Sequence, residues 1–164
     1  MHRVVLLTGS NHPSKERLIA RVAELLEEHI GPIESRSEVC YSEAWGFSSQ
    51  EEFANQALLL SSELEPFEVL DRALEVEQIL GRDREAEQAE KSLSGEAYAS
   101  RVIDVDVIFY DDEQMAHPRL ELPHPRLQLR EFALVPLSQI MGDYVHPKFG
   151  QSINAMLQEL REKS

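Results

Sequence analysis

The stretch Val102-Ile103-Asp104-Val105-Asp106-Val107-Ile108-Phe109-Tyr110 is the most strand-like part of the chain, because β-branched and aromatic residues favour β-strands. Successive side chains of a strand point to opposite faces of the sheet. Asp104 and Asp106 are therefore expected to share one face, about 7 Å apart along the strand. We expect Ile103, Val105, Val107 and Phe109 on the other face, in the core. The long apolar run indicates a central strand rather than a peripheral one.

The segments around this strand predict an α+β fold. Strands are predicted at 4–8, 33–41, 53–60 and 102–110, with weaker extended segments at 114–116 and 120–125. Apolar residues at helical spacing predict one helix that begins at Pro13-Ser14 and ends before Gly31, and a second that begins at Pro66 and is capped by Gly81. The order β-α-β-β-α-β, with two helices against one mainly antiparallel sheet, is typical of the ferredoxin-like sandwich. Helices predicted at 132–140 and 153–160 form a C-terminal extension.

The length of 164 residues suggests a single domain over 1–164. Residues 82–100 interrupt the apolar pattern with a long polar stretch. Such a loop inside a compact domain is usually functional or disordered.

Charge and composition exclude several classes of function. The chain carries 16 Lys and Arg against 30 Asp and Glu, for a net charge of −14. That balance argues against a nucleic-acid binder and against docking on an anionic membrane surface. The single Cys40 and the absence of any apolar stretch long enough for a membrane span predict a cytoplasmic protein.

The pair Asp104 and Asp106 has two interpretations. The acids could form a solvated strand face, or could discourage pairing at a sheet edge. Alternatively, because adjacent carboxylates repel each other without a compensating cation, they could bind Mg²⁺, which takes oxygen ligands and shares them with phosphates. Two such ions can clamp a reacting phosphoryl group.

Basic side chains cluster in the second half of the chain. Arg82, Arg84 and Arg101 flank the polar loop, and Arg119 and Arg130 follow it. Arginine matches phosphate oxygens bidentately, although these residues could also be surface partners of the many glutamates. His124 lies between two prolines, which hold it in a rigid segment; it could donate to a phosphate or have no role.

An aromatic and amide set forms the last candidate cluster. Flat heterocycles stack between rings and are recognised by side-chain amides. Core packing is the simpler interpretation for Phe47 and Phe53, but it explains Asn55 less well. Neither a P-loop nor a dinucleotide-binding glycine motif occurs. The set comprises Trp45, Phe47, Phe53, Asn55 and Phe132.

Together these motifs resemble the 6-hydroxymethyl-7,8-dihydropterin pyrophosphokinase family. The resemblance runs in the family's order over nearly the whole chain, and its most specific part joins R-x-x-D-x-D to P-H-x-R and R-x-F. The matching elements are Gly9-Ser10-Asn11, Phe53-Ala54-Asn55-Gln56-Ala57, Glu77, Gly81-Arg82-Asp83-Arg84, Arg101-Val102-Ile103-Asp104-Val105-Asp106-Val107, Leu122-Pro123-His124-Pro125-Arg126, Arg130-Glu131-Phe132 and Val135-Pro136-Leu137.

The resemblance implies transfer of diphosphate from ATP to the hydroxymethyl group of 6-hydroxymethyl-7,8-dihydropterin, with release of AMP, in folate biosynthesis. It implies a monomer with two Mg²⁺ ions held by Asp104 and Asp106, and a mobile catalytic loop at 82–100. The implied catalytic residues are Arg82, Arg84, Arg101, Asp104 and Asp106. The implied ATP-binding residues are Glu77, Arg82, Arg84, Arg101, Val107, Arg119, His124 and Arg130. The implied pterin-binding residues are Ser42, Glu43, Trp45, Phe53, Asn55 and Phe132.

The chain departs from the family pattern in the catalytic loop. The usual tryptophan-glycine-proline before Arg101 is absent, and no arginine lies between Arg84 and Arg101. Lys91 and Tyr98 are candidate replacements. Two alternatives follow: a non-catalytic ferredoxin-like ligand-binding module of the same descent, and an Mg²⁺-dependent nucleotide hydrolase that uses the paired acids.

Overall fold

The structure, a computed structural model, describes residues 1–43, 52–81 and 103–163. The predicted order of elements is confirmed. The polar loop at 82–100 lies outside the described residues. The elements are β1 His2–Ser10, α1 Lys15–His29, β2 Ile33–Arg36, β3 Cys40–Glu43, β4 Glu52–Ser62, α2 Pro66–Ile79, β5 Asp104–Tyr110, β6 Met115–His117, β7 Leu120–Leu122, a 3₁₀ turn Leu127–Leu129, α3 Glu131–Met141 and α4 Ile153–Lys163.

The main sheet has the strand order β2-β4-β1-β5, and β3 pairs with the other end of β4. Every pairing in this sheet is antiparallel, and β6 and β7 form a separate two-stranded sheet. The α+β ferredoxin-like prediction is therefore confirmed. The single strand predicted at 33–41 is instead two short strands, β2 and β3.

Helices α1 and α2 cover one face of the sheet. Leu26 from α1 and Val76 from α2 are fully buried there with Leu6 of β1 and Leu58 of β4. The start of α2 is encoded locally, because Glu65 and Glu68 form a reciprocal capping box and Pro66 fits the first helical turn.

The C-terminal extension forms a third layer on the opposite face. Side chains of α3 and α4, including Leu134, Leu137 and Ile153, pack against Val5 and Leu7 of β1. Beyond Leu7 the same face carries Gly9, with Asn55 and Asp104 beside it in register. Polar groups therefore line the end of this face that the apolar side chains of α3 and α4 do not cover.

A β-bulge in β5 changes which side chains enter which core. Val5 pairs with Phe109 and Leu6 with Val107, so that Ile108 is an extra residue. Val107 faces α1 and α2, as predicted, whereas Phe109 faces α3 and α4. The prediction for Phe109 is wrong because the extra residue shifts the alternation by one position after Ile108, so that Ile108 and Phe109 face the same core.

The predicted central position of β5 is also wrong within the described residues, where this strand ends the order of the main sheet. Two groups that are not part of a strand form hydrogen bonds with the side of β5 that faces away from β1. The Glu77 carboxylate accepts from the backbone N–H of Val105 at 2.7 Å, and the backbone N–H of His124 donates to the carbonyl of Ile108 at 3.0 Å. A buried apolar edge strand is thereby kept from exposing these groups to solvent.

Candidate active site

Three neighbouring strands bring an amide, a glycine and a carboxylate into one row. Gly9 of β1 pairs with Asn55 of β4 on one side and with Asp104 of β5 on the other. Because strands in a sheet lie about 4.8 Å apart, the Asn55 and Asp104 backbones lie roughly 10 Å apart with bare glycine between them. The next row pairs Leu7 with Asp106, which puts both acids on the same face, as predicted.

The Asn55 side chain is buried and fixed in one orientation. Its Nδ2 donates to the carbonyl of Thr8 at 3.2 Å, while its buried Oδ1 accepts no hydrogen bond from the described residues. A methyl group at Gly9 would lie only 2.5 Å from Nδ2. The absent side chain of Gly9 therefore makes room for the amide, which presents an acceptor to a ligand that carries an N–H donor.

Asp104 and Asp106 are both half-buried. Within residues 1–43, 52–81 and 103–163, no group of three or more His, Cys, Asp or Glu side chains could hold a metal ion. Mg²⁺ commonly uses only one or two protein carboxylates and completes its octahedral shell with phosphate and water oxygens. Two same-face carboxylates fit that chemistry when a phosphate substrate supplies the remaining ligands.

Glu77 lies in the last turns of α2 and is 1% exposed. Its carboxylate binds the N–H of Val105, the residue between the two acids. The resemblance implied an ATP contact for Glu77; the structure brings it to the backbone of the acid-bearing strand.

His124 is held beside β5 by its own backbone and carries a neutral imidazole at pH 7. Burial first, then the positive charges of Arg130 and Arg126, lower the His124 pKa to about 4. The Nδ1 atom accepts from the backbone N–H of Arg126 at 3.4 Å. The ring proton consequently belongs on Nε2, which is the atom able to donate to an anion.

The two described arginines of the predicted set have different surroundings. Arg119, at the β6–β7 turn, donates to the Asp71 carboxylate of α2 at 2.6 Å and lies 5.9 Å from the centre of the Phe67 ring. Arg130 precedes α3, and its guanidinium carbon is 5.6 Å from the centre of the Phe132 ring. Phe132 remains 37% exposed, which suits a stacking surface rather than a core residue.

The remaining predicted residues divide into described and undescribed ones. Ser42 pairs with Phe53, two positions along β4 from Asn55, and the backbone of Glu43 continues β3. The Val107 side chain is buried under α1 and α2, so it faces away from the acids. Trp45, Arg82, Arg84 and Arg101 lie outside the described residues.

Sequence reasoning assigned no role to Gly9 or to Thr8, although both shape the site. Thr8 is fully buried and its carbonyl fixes the Asn55 amide. The signal was present in Gly9-Ser10-Asn11 directly after a strand, where a glycine often marks a close approach of another group.

Residues 5–142 match the family model of 7,8-dihydro-6-hydroxymethylpterin-pyrophosphokinase, HPPK. The chain belongs to this family. The resemblance predicted from the sequence is thus confirmed, and HPPK membership supports a pyrophosphokinase of folate biosynthesis that uses ATP. Neither the non-catalytic module nor the nucleotide hydrolase is favoured.

Curated relatives of the HPPK family cover most of the chain. A 2-amino-4-hydroxy-6-hydroxymethyldihydropteridine pyrophosphokinase of Porphyromonas gingivalis is 32% identical over 146 residues, which span 88% of this chain and 94% of that protein. The Aquifex aeolicus enzyme of the same name is 35% identical over 147 residues, 90% of this chain and 85% of its own. A Methylorubrum extorquens enzyme of that name is 36% identical over 146 residues, 88% and 86% of the two chains.

Solved structures show the same fold. A crystal structure of Plasmodium falciparum HPPK-DHPS superposes with a TM-score of 0.77 at 13% identity, over 99% of this chain and 46% of that one. A second, with pteroate, gives a TM-score of 0.68 at 12% identity and covers 43% of that chain. The present chain therefore spans less than half of these solved chains. No helix in the described part of the HPPK chain is long and apolar enough to cross a membrane.

Proposed function

We propose that this chain transfers diphosphate from ATP to the hydroxymethyl group of 6-hydroxymethyl-7,8-dihydropterin and releases AMP, in the synthesis of folate. The observation that carries the proposal is the row Asn55–Gly9–Asp104. It combines an amide acceptor suited to a heterocycle with carboxylates suited to phosphate-bound cations, separated by a strip of bare backbone.

In this reaction the hydroxymethyl oxygen attacks the β-phosphorus of ATP. The new O–P bond forms as the bond from the β-phosphorus to the oxygen that bridges it to the α-phosphorus breaks, AMP leaves, and the hydroxyl proton passes to solvent. Positioning and charge compensation are the main requirements of such a transfer. Asp104 and Asp106 would hold two Mg²⁺ ions, which neutralise phosphate charge when bound.

The nucleotide would lie along the outer side of β5. His124 would donate from Nε2 to a phosphate oxygen, because its Nδ1 already accepts from the backbone N–H of Arg126. Arg119 and Arg130 supply fixed positive charge. The proposal also includes Arg82, Arg84 and Arg101 at the triphosphate, the Val107 backbone at the nucleotide, and closure of loop 82–100 over the site.

The pterin would lie against the β4 side of the row. Asn55 Oδ1 accepts from a ring amino or imino N–H, because Nδ2 is already committed to Thr8. Phe132 offers its exposed ring for stacking. Phe53, Ser42, Glu43 and Trp45 complete the proposed pocket.

One assay tests the proposal: ATP, Mg²⁺ and the reduced hydroxymethylpterin, with AMP measured by chromatography. AMP formed only with pterin supports the enzyme. Nucleotide hydrolysis without pterin would support the hydrolase, and pterin binding without turnover would support the non-catalytic module.

We also propose that residues 1–164 act as one domain and as a monomer in the cytoplasm. Sedimentation of the protein as a dimer would contradict the proposed monomer.

A further inference from the structure

The carboxylate of Glu77 replaces a neighbouring strand at the edge of β5. It is almost fully buried, and its Oε2 accepts the N–H of Val105 at 2.7 Å. This distance lies at the short end of the range for N–H···O hydrogen bonds in proteins. Within the described residues, no strand pairs with this side of β5.

The position of this bond along β5 matters for the two acids. Backbone groups of successive strand residues point alternately to the two sides of the strand. Because the N–H of Val105 points to Glu77, those of Asp104 and Asp106 point to β1, where the two residues pair with Gly9 and Leu7. Glu77 therefore fixes the centre of the Asp-Val-Asp segment from the side that β1 does not reach.

We propose that Glu77 is a positioning residue that holds Asp104 and Asp106 in the geometry for divalent-cation binding, through the backbone of Val105. This inference rests on the proposed function, since it assumes that the two acids bind the cations. It differs from a direct nucleotide contact, because the property required is a hydrogen-bond acceptor at Oε2 rather than a charge facing ATP.

Two substitutions separate these roles. Glu77→Gln keeps an oxygen that can accept from Val105, and Glu77→Leu removes the acceptor while preserving approximate volume. The direct readout is hydrogen exchange of the Val105 amide by NMR. The functional readouts are the affinity for Mn²⁺, by paramagnetic resonance with a non-hydrolysable ATP analogue, and the affinity for pterin.

We expect Glu77→Leu to speed Val105 exchange and to weaken Mn²⁺ binding, each by about tenfold or more. Pterin affinity should stay within about twofold, because Asn55 lies two strands away. Glu77→Gln should restore both Val105 protection and Mn²⁺ affinity to within about threefold of the unsubstituted protein.

Glu68→Leu is the matched control. Glu68 also lies in α2 and its carboxylate also accepts a backbone N–H, that of Glu65, at 3.1 Å. Its loss should weaken α2 without changing Val105 exchange or Mn²⁺ affinity. The control thereby distinguishes a general weakening of α2 from loss of the hydrogen bond between Glu77 and Val105.

Unchanged Val105 exchange in Glu77→Leu would overturn the inference. So would a Mn²⁺ defect in Glu77→Gln as large as that in Glu77→Leu, because the charge rather than the acceptor would then be required. None of these readouts needs turnover. An unsubstituted protein that binds Mn²⁺ but forms no AMP would refute the proposed function while the Glu77 variants still decide the positioning role.

Discussion

Gly9→Ala tests whether the space left by the missing side chain of Gly9 is needed to hold the Asn55 amide in place. The new methyl group would lie 2.5 Å from Nδ2, whereas ordinary contacts begin at 3.4 Å. The amide must therefore retreat by about 0.9 Å, the difference between those two distances, and the 3.2 Å bond to Thr8 is lost. A buried hydrogen bond contributes about 1 kcal/mol, and the displaced Oδ1 would also lose its bond to the pterin.

These losses predict a pterin Kd about 5- to 30-fold higher than that of the unsubstituted protein. The affinity for ATP with Mg²⁺ should change by less than about twofold, since the clash is confined to Asn55. Titration calorimetry with each ligand separately gives both values. The melting temperature should fall by only about 2–4 °C for a chain of this size.

Gly142→Ala is the matched control for this substitution. A methyl group there would lie 2.6 Å from the amide of Asn154. This clash is similar in size and also involves an asparagine, but it lies at the connection between α3 and α4. Asn154 is exposed and can move, so pterin affinity should not change. A pterin Kd for Gly9→Ala within twofold of the control would refute the role given to the Asn55 amide and to the space beside it.

Four further substitutions test residues on and beside the proposed phosphate side of the site. Asp106→Asn should lower Mg²⁺-dependent AMP formation by about 100-fold or more while circular dichroism stays unchanged; retained turnover would remove Asp106 from the metal site. The pKa of His124 is about 4 in the folded protein, against an ordinary value of 6.5. As the pH falls from 6.5 to 4, the unfolded chain therefore takes up a proton that the folded chain does not. The free energy of unfolding must decrease over that range. In urea denaturation, His124→Gln should flatten this part of the pH profile; an unchanged slope would contradict the depressed pKa. Arg119→Ala should raise the KM for ATP but not for pterin, whereas Asp71→Asn, which breaks an exposed ion pair, should change stability by less than about 1 kcal/mol.

Much of the fold could be predicted because local signals agree with it. The helical spacing in α1 and the capping residues of α2 define these helices without any tertiary information. The shared face of Asp104 and Asp106 follows from strand geometry alone, and the register confirms it. The split of 33–41 into β2 and β3 could not be foreseen, because both pieces pair with the one long strand β4.

The candidate site was predicted less completely, for reasons that lie outside local sequence. The bulge at Ile108 sits within an uninterrupted apolar run, so no residue type marks it and Phe109 was assigned to the wrong face. The contact between Glu77 and Val105 spans 28 positions and joins a helix to a strand edge. Likewise, Gly9 shows its importance only when Asn55 is placed beside it across the sheet.

The bulge in β5 also acts as a ruler. The extra residue, Ile108, offers the carbonyl to which the backbone of His124 is attached, two positions after Asp106. Since a strand advances about 3.3 Å per residue, moving the bulge by two residues along β5 would shift that attachment by about 7 Å relative to the acids. The one irregularity in this strand thus sets the span between the carboxylates and the histidine, and with it the length of phosphate chain that could bridge them.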